Sequence, residues 1–72
     1  MKKNDFYSEL GDYLEIDNLN ESSSLELTSM GVLSVIALVN ENFDKLLVPT
    51  ALKAVKSVSE LIILIGSDQF SE

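Results

Sequence analysis

The chain has 72 residues, of which 46% are hydrophobic and 24% are charged, a composition typical of one small folded domain. It contains no cysteine and no histidine, so it lacks disulfides and the usual zinc ligands. It also lacks the histidine base that activates a serine or cysteine nucleophile in common hydrolases. Twelve acidic residues against five lysines give a formal net charge of -7, which opposes binding to nucleic-acid phosphates. We therefore expect a protein that is not an enzyme, holds no metal and binds no nucleic acid.

The apolar residues occur in short runs. The longest unbroken ones are about five residues, as in Leu61–Ile65, against roughly twenty for a helix that spans a bilayer. The two lysines near the start are followed by polar and acidic residues instead of an apolar signal core. These features predict a cytoplasmic protein that does not bind membranes.

The first helix is predicted to begin after Asn4 or Asp5, since either side chain can cap free helix amides, and to end near Ile16. Gly11 within it costs about 1 kcal/mol relative to alanine, so this helix must depend on packing. The apolar residues that recur at near-helical spacing are Phe6, Leu10, Tyr13 and Leu14.

A polar segment from Asp17 to Thr28 follows, and its carboxylate and amide side chains superficially suggest a calcium loop. Counted from Asp17, however, Leu19 takes a ligand position, Ser22 the glycine position and Thr28 the position of the bidentate carboxylate. The pattern therefore favours a long solvated acidic loop over a metal site.

The strongest helical period predicts a second helix from Ser29 to Phe43. Its apolar stripe is widened by Val32, Val35 and Leu38, so this helix is either central or partly exposed for a partner. The residues that recur at spacings of three and four are Met30, Leu33, Ile36, Ala37, Val39 and Phe43.

Two further helices are predicted near the end of the chain. Pro49 suits the first turn of a short third helix over residues 50–55, because its missing N–H would have no intrahelical partner there. Ser57 and Glu60 fit a capping box that begins a fourth helix, and Gly66 ends it with a left-handed residue. Residues 67–72 are expected to form a loose tail.

The predicted fold is thus an all-α four-helix bundle over residues 1–72, with a long loop after the first helix. This arrangement resembles the acyl carrier protein family over nearly the whole chain. The residues 13–16, 48–49 and 57–61 look like the end of the family's first helix, its isoleucine-proline step and the start of its last helix. The residues 27–30, with Phe43-Asp44 fourteen residues after Ser29, resemble the family's Asp-Ser-Leu motif and the end of its second helix.

The resemblance implies that Ser29 carries a covalent 4′-phosphopantetheine arm. The chain would then be a non-enzymatic, monomeric carrier that presents acyl or aminoacyl thioesters to enzymes of fatty-acid, lipid or specialised-metabolite synthesis. Its partners would be a phosphopantetheinyl transferase and enzymes that load and transfer the acyl group. The implied partner-binding residues are Thr28, Met30, Leu33, Ser34, Ala37 and Glu41. The implied acyl-pocket residues are Ile36, Val39, Leu52, Val55, Leu61 and Ile62.

The sequence departs from the family pattern at four positions. Neutral residues stand where the family often has carboxylates, at Thr28, Gly31, Ser34 and Asn40, which predicts poor recognition by a general transferase. Thr28 or Ser29 could also be a simple helix cap that carries no modification. The alternative function is therefore an unmodified acidic helical adaptor or inhibitor that binds a protein partner through helix two.

Overall fold

A computed structural model, which describes residues 1–71, shows four α-helices packed around one hydrophobic core. They are α1 (Lys3–Leu14), α2 (Ser29–Phe43), α3 (Pro49–Lys53) and α4 (Val58–Ile65), followed by one 3-10 turn, Ser67–Gln69. No strand forms within the described residues, so the prediction of a small all-α fold is confirmed. Within the same range no helix combines the length and the hydropathy needed to cross a bilayer.

The start of α1 differs from the prediction. The helix begins at Lys3, with Lys2 as an extended residue whose side chain caps nothing, so neither Asn4 nor Asp5 is the cap. Phe6, in the first turn, is fully buried. The Phe6 amide donates to the Lys2 carbonyl at 3.0 Å, so the first turn of α1 closes on Lys2 without a side-chain cap.

The end of α1 comes at Leu14, two residues before the predicted Ile16. Glu15 adopts a left-handed conformation with φ 57°, and the Ile16 amide donates to the Gly11 carbonyl at 2.9 Å. A Cβ atom on Gly11 would lie only 2.5 Å from the Ile16 carbonyl oxygen. Glycine therefore permits the tight turn that ends this helix.

The two long helices, α1 and α2, pack antiparallel. The rings of Phe6 and Phe43 lie 6.0 Å apart at one end. At the other end the Leu14 side chain lies 3.5 Å from the ideal Cβ position of Gly31. Since α2 keeps its predicted bounds, its first residue, Ser29, lies at the end of the molecule where α1 stops.

The long connection between α1 and α2 is attached to the start of α4 by backbone hydrogen bonds around an isolated antiparallel bridge between Ser24 and Ser57. Leu25, beside the bridge, is only 2% exposed. This segment also accepts from the first two amides of α4, which have no partner within their own helix. The bonds run from Leu25 N to Lys56 O at 2.9 Å, from Val58 N to Ser23 O at 3.0 Å and from Ser59 N to Glu21 O at 3.1 Å.

Both ends of α4 carry specific contacts. Ser57 is the cap of α4, as predicted, and its Oγ accepts from the Glu60 amide at 3.2 Å. The second bond of a capping box differs, because the Glu60 carboxylate accepts from the Ser57 hydroxyl at 3.4 Å instead of from the Ser57 amide. Gly66 ends the helix with φ 111°, in the region that favours glycine. The Lys45 ammonium group donates to the Ile65 carbonyl at 2.6 Å, which satisfies a carbonyl in the last turn.

The short helix α3 begins at Pro49, one residue before the predicted start, and ends at Lys53 instead of Val55. The Val55 amide donates to the Leu52 carbonyl at 3.1 Å, three residues back, so the chain tightens into a 3-10 turn there. Leu52 is fully buried, which anchors the helix on the core.

The predicted loose tail is wrong for Ser67 to Ser71, and Glu72 lies outside the described residues. Phe70 is 7% exposed, and its ring centroid lies 5.2 Å from that of Phe6 and 5.1 Å from that of Phe43. The Ser71 amide also donates to the Met1 carbonyl at 2.9 Å. Edge-to-face aromatic packing of this kind stabilises the end of the core opposite Ser29.

We predict that Phe70→Ala lowers the free energy of unfolding by about 3–5 kcal/mol, because it removes a buried ring and leaves a cavity. Since that is a large part of the stability of a small domain, Phe70→Leu is the milder variant, with a cost of about 1 kcal/mol. Urea unfolding followed by circular dichroism measures both variants. The exposed Gln69→Ala is the control, and equal midpoints for Phe70→Ala and Gln69→Ala would contradict the packing.

Candidate functional site

The first turn of α2 presents two adjacent hydroxyl groups with different roles. The Thr28 Oγ1 atom accepts from the Gly31 amide at 3.1 Å, and the Thr28 carbonyl accepts from the Val32 amide at 2.9 Å. Thr28 is therefore the cap. Ser29 is exposed, and its hydroxyl makes no hydrogen bond to any residue in 1–71.

The electrostatic surroundings of Ser29 favour a negative group. The backbone amides of Ser29 and Met30 bond to no other residue of the described chain. No acidic side chain lies in this first turn. The free amides and the positive end of the helix dipole thus remain available to an anion such as a phosphodiester.

An apolar strip on α2 begins beside this hydroxyl. We call Met30, Leu33 and Ala37 the α2 strip; all three are exposed, Met30 at 78% and Leu33 at 66%. Their spacing of three and four places them on one face of the helix. Ser34, which shares this face, is half-buried. The structure therefore brings together Ser29 and most of the residues predicted to contact partners.

Glu41, the last predicted partner-binding residue, is exposed but already engaged. The Tyr13 hydroxyl donates to the Glu41 carboxylate at 3.2 Å and so links α1 to α2. The negative charge of Glu41 is the main reason that the pKa of Tyr13 is raised above its usual value near 10. A partner that contacts Glu41 must compete with Tyr13 for its carboxylate. The apolar period of α1 did not predict this hydrogen bond.

Gly31 occupies one of the four neutral positions for a structural reason. It is buried, and a Cβ atom there would lie 3.5 Å from side-chain carbons of Leu14 and Leu27 and from the Thr28 hydroxyl oxygen. A carboxylate at this position would be directed against two leucines and would lose hydration. Gly31 therefore serves the packing of α1, α2 and the connection.

The predicted acyl-pocket residues lie together in the core. Ile36 is half-buried against the core, and the other five are buried. Val55 also lines an apolar surface groove of about 300 Å³ between α3 and α4, beside Ala54 and the 72% exposed Ile63. The acyl pocket stays a prediction, and it requires the helices to part. The five buried residues are Val39, Leu52, Val55, Leu61 and Ile62.

Within residues 1–71 no group of three or more acidic side chains could hold a metal ion. No protein-family model, curated protein or solved structure matches the chain. Its function is therefore inferred from its own residues and their geometry.

The assignment of the cap to Thr28 gives a matched pair of variants. We predict that Thr28→Ala lowers the free energy of unfolding by about 0.5–2 kcal/mol, because the Gly31 amide loses its acceptor. Ser29→Ala should change it by only about half a kcal/mol, since that hydroxyl holds no structural bond. Urea unfolding measures both, with Thr28→Ser as the control that keeps the cap. A larger loss for Ser29→Ala than for Thr28→Ala would contradict the assignment.

Proposed function

We propose that the protein is a non-enzymatic carrier that holds an acyl or aminoacyl group as a thioester on a 4′-phosphopantetheine arm attached to Ser29. The observation that carries this proposal is the exposed Ser29 hydroxyl in the first turn of α2. It is not needed as a helix cap, because Thr28 caps the helix. The order of four helices with a long first connection and a short third helix supports a fold of acyl-carrier type.

The attachment chemistry needs little from the carrier itself. The Ser29 oxygen would attack the arm-bearing phosphorus of a pyrophosphate-linked donor such as coenzyme A. The new P–O bond would form as the pyrophosphate P–O bond breaks, so that the nucleotide leaves with the other phosphate, and a base on the transferring enzyme would accept the hydroxyl proton. The free amides of Ser29 and Met30 would stabilise the phosphodiester charge. The bound group supplies the thiol, so the absence of cysteine from the chain is compatible with thioester chemistry.

The α2 strip would be the docking surface for the phosphopantetheinyl transferase and for enzymes that load and transfer the acyl group. Exposed apolar side chains beside an attachment point provide the desolvated contacts on which protein association depends. We expect these partners to belong to fatty-acid, lipid or specialised-metabolite synthesis, and the carrier to be a cytoplasmic monomer.

The second candidate is an unmodified helical adaptor or inhibitor. The exposure of Met30 and Leu33 favours it equally, because an apolar strip on one helix face can also fill a partner's groove. The two functions differ in one observable, the intact mass of protein purified from its own cell. An added phosphopantetheine mass supports the carrier, and an unmodified chain supports the adaptor.

We predict that coexpression with a phosphopantetheinyl transferase adds one arm to the wild-type protein and none to Ser29→Ala. Intact mass spectrometry measures the addition, and circular dichroism shows that the variant remains folded. Ser22→Ala is the matched control, because Ser22 is an exposed serine in the connection that should not be modified. An arm on folded Ser29→Ala would overturn the assignment.

The neutral first half of α2 generates a prediction about rate. Thr28 is exposed, and an aspartate at that position keeps an oxygen that can cap the helix. Ser34 is half-buried, and the longer side chain of a glutamate at that position would extend into solvent. We expect Thr28→Asp with Ser34→Glu to speed modification by a general transferase at low salt. Interface charges act mainly on encounter rate, so the gain should shrink as salt rises.

The initial rate of arm transfer across a salt series measures this effect. The control is Asn4→Asp with Gln69→Glu, which adds charge at exposed positions near the opposite, aromatic end of the molecule. Equal rates for the two double variants at low salt would mean that charge near Ser29 does not set recognition.

A further inference from the structure

A groove of about 670 Å³ lies beside the candidate site, between the connection and the turn that joins α3 to α4. Residues 24–28 line one side, and Lys53, Val55 and Lys56 line the other. We call it the lysine groove. Thr28, one of the lining residues, immediately precedes Ser29, which does not itself line the groove. A group attached to the Ser29 oxygen would begin next to the groove.

The charge in the lysine groove is unusual for so acidic a chain. Lys53 and Lys56 are exposed, and their side chains form neither a hydrogen bond nor an ion pair with another described residue. Position in the last turn of α3 accounts for Lys53, since a cation there complements the helix dipole. It does not account for Lys56, which lies beyond the helix. Glu26 is the one carboxylate among the lining residues, so the groove keeps a net positive charge.

The opposite side of the groove offers backbone groups. The Leu25 amide donates to the backbone carbonyl of Lys56. The backbone amides and carbonyls of Glu26 and Leu27 bond to no other described residue. Both residues lie in the irregular segment that leads to α2. Free backbone groups along such a segment can pair with the amides of another extended chain.

We propose that the lysine groove seats the phosphopantetheine arm, with its phosphodiester attracted by Lys53 and Lys56 and its amides against the backbone of Glu26 and Leu27. This inference rests on the proposed function. The volume fits, because sites for small organic groups measure roughly 300–1,000 Å³. Tethering to Ser29 also keeps the arm at a high effective concentration beside the groove, so weak contacts suffice to hold it. Lys53 and Lys56 are then positioning residues that direct the arm along the connection.

The test compares backbone amide chemical shifts of the isotope-labelled wild-type protein before and after the arm is attached. We expect shifts at Glu26, Leu27, Lys53 and Lys56 in addition to those next to Ser29. The distant shifts should shrink in molar salt, where the screening length falls to about 3 Å. They should also be lost in Lys53→Gln with Lys56→Gln.

The matched control is Lys2→Gln with Lys3→Gln, which also removes two positive charges, but at the start of α1 and far from Ser29. This control should keep all the chemical-shift changes. If the mass shows that no arm can be attached, the proposed function fails, and this inference fails with it. If the arm is attached but the wild-type shifts stay within the first turn of α2, the carrier function stands and the groove assignment is overturned. Distant shifts that persist in the Lys53 and Lys56 double variant would overturn the role of the two lysines.

Discussion

The position of Ser29 depends on the backbone pairing between the first connection and the start of α4. Ordering an irregular segment costs about 1–2 kcal/mol per residue in backbone entropy, and this segment offsets that cost in two ways. It buries Leu25, and it supplies carbonyl acceptors to the amides of Val58 and Ser59. Since α2 begins four residues after Leu25, the pairing fixes the start of α2 relative to α4.

At the start of α2, one residue caps the helix and its neighbour keeps a hydroxyl group that is free to react. The Thr28 hydroxyl satisfies the helix, which leaves the Ser29 hydroxyl exposed and unbonded within the described chain. An aspartate at position 28 could cap in the same way but would add a negative charge. Threonine therefore caps the helix without placing a negative charge beside Ser29. Lys53 and Lys56, which line the neighbouring groove, likewise make the electrostatic potential near Ser29 less negative.

The helices that could be predicted from sequence are those whose signals are local. The apolar period gave the bounds of α2, and the Ser57 and Glu60 pair gave the cap of α4. The predicted start of α1 is wrong because the first turn closes on the Lys2 carbonyl, and a helix without a side-chain cap has no local sequence signal for its first residue. The tail was misjudged because a single aromatic residue has no period from which its burial can be inferred.

The candidate site could be predicted in part for the same reason. The resemblance to acyl carrier proteins selects Ser29 and the residues of the α2 strip, and the helical period then predicts that the strip lies on one face. The Tyr13 to Glu41 hydrogen bond, which joins residues 28 positions apart, has no local signal. The lysine groove has no local signal either, because its two sides come from distant parts of the chain that the pairing around the Ser24 to Ser57 bridge brings together.

The hydrogen bond from the Ser71 amide to the Met1 carbonyl has a practical consequence for handling the molecule. It places both of these residues near the aromatic end formed by Phe6, Phe43 and Phe70, whereas Ser29 lies at the other end of α2. A flexible tether joined beyond either residue would hold the protein by its aromatic end. Immobilised on a sensor surface in this way, the molecule would point the first turn of α2 and the lysine groove toward the solution.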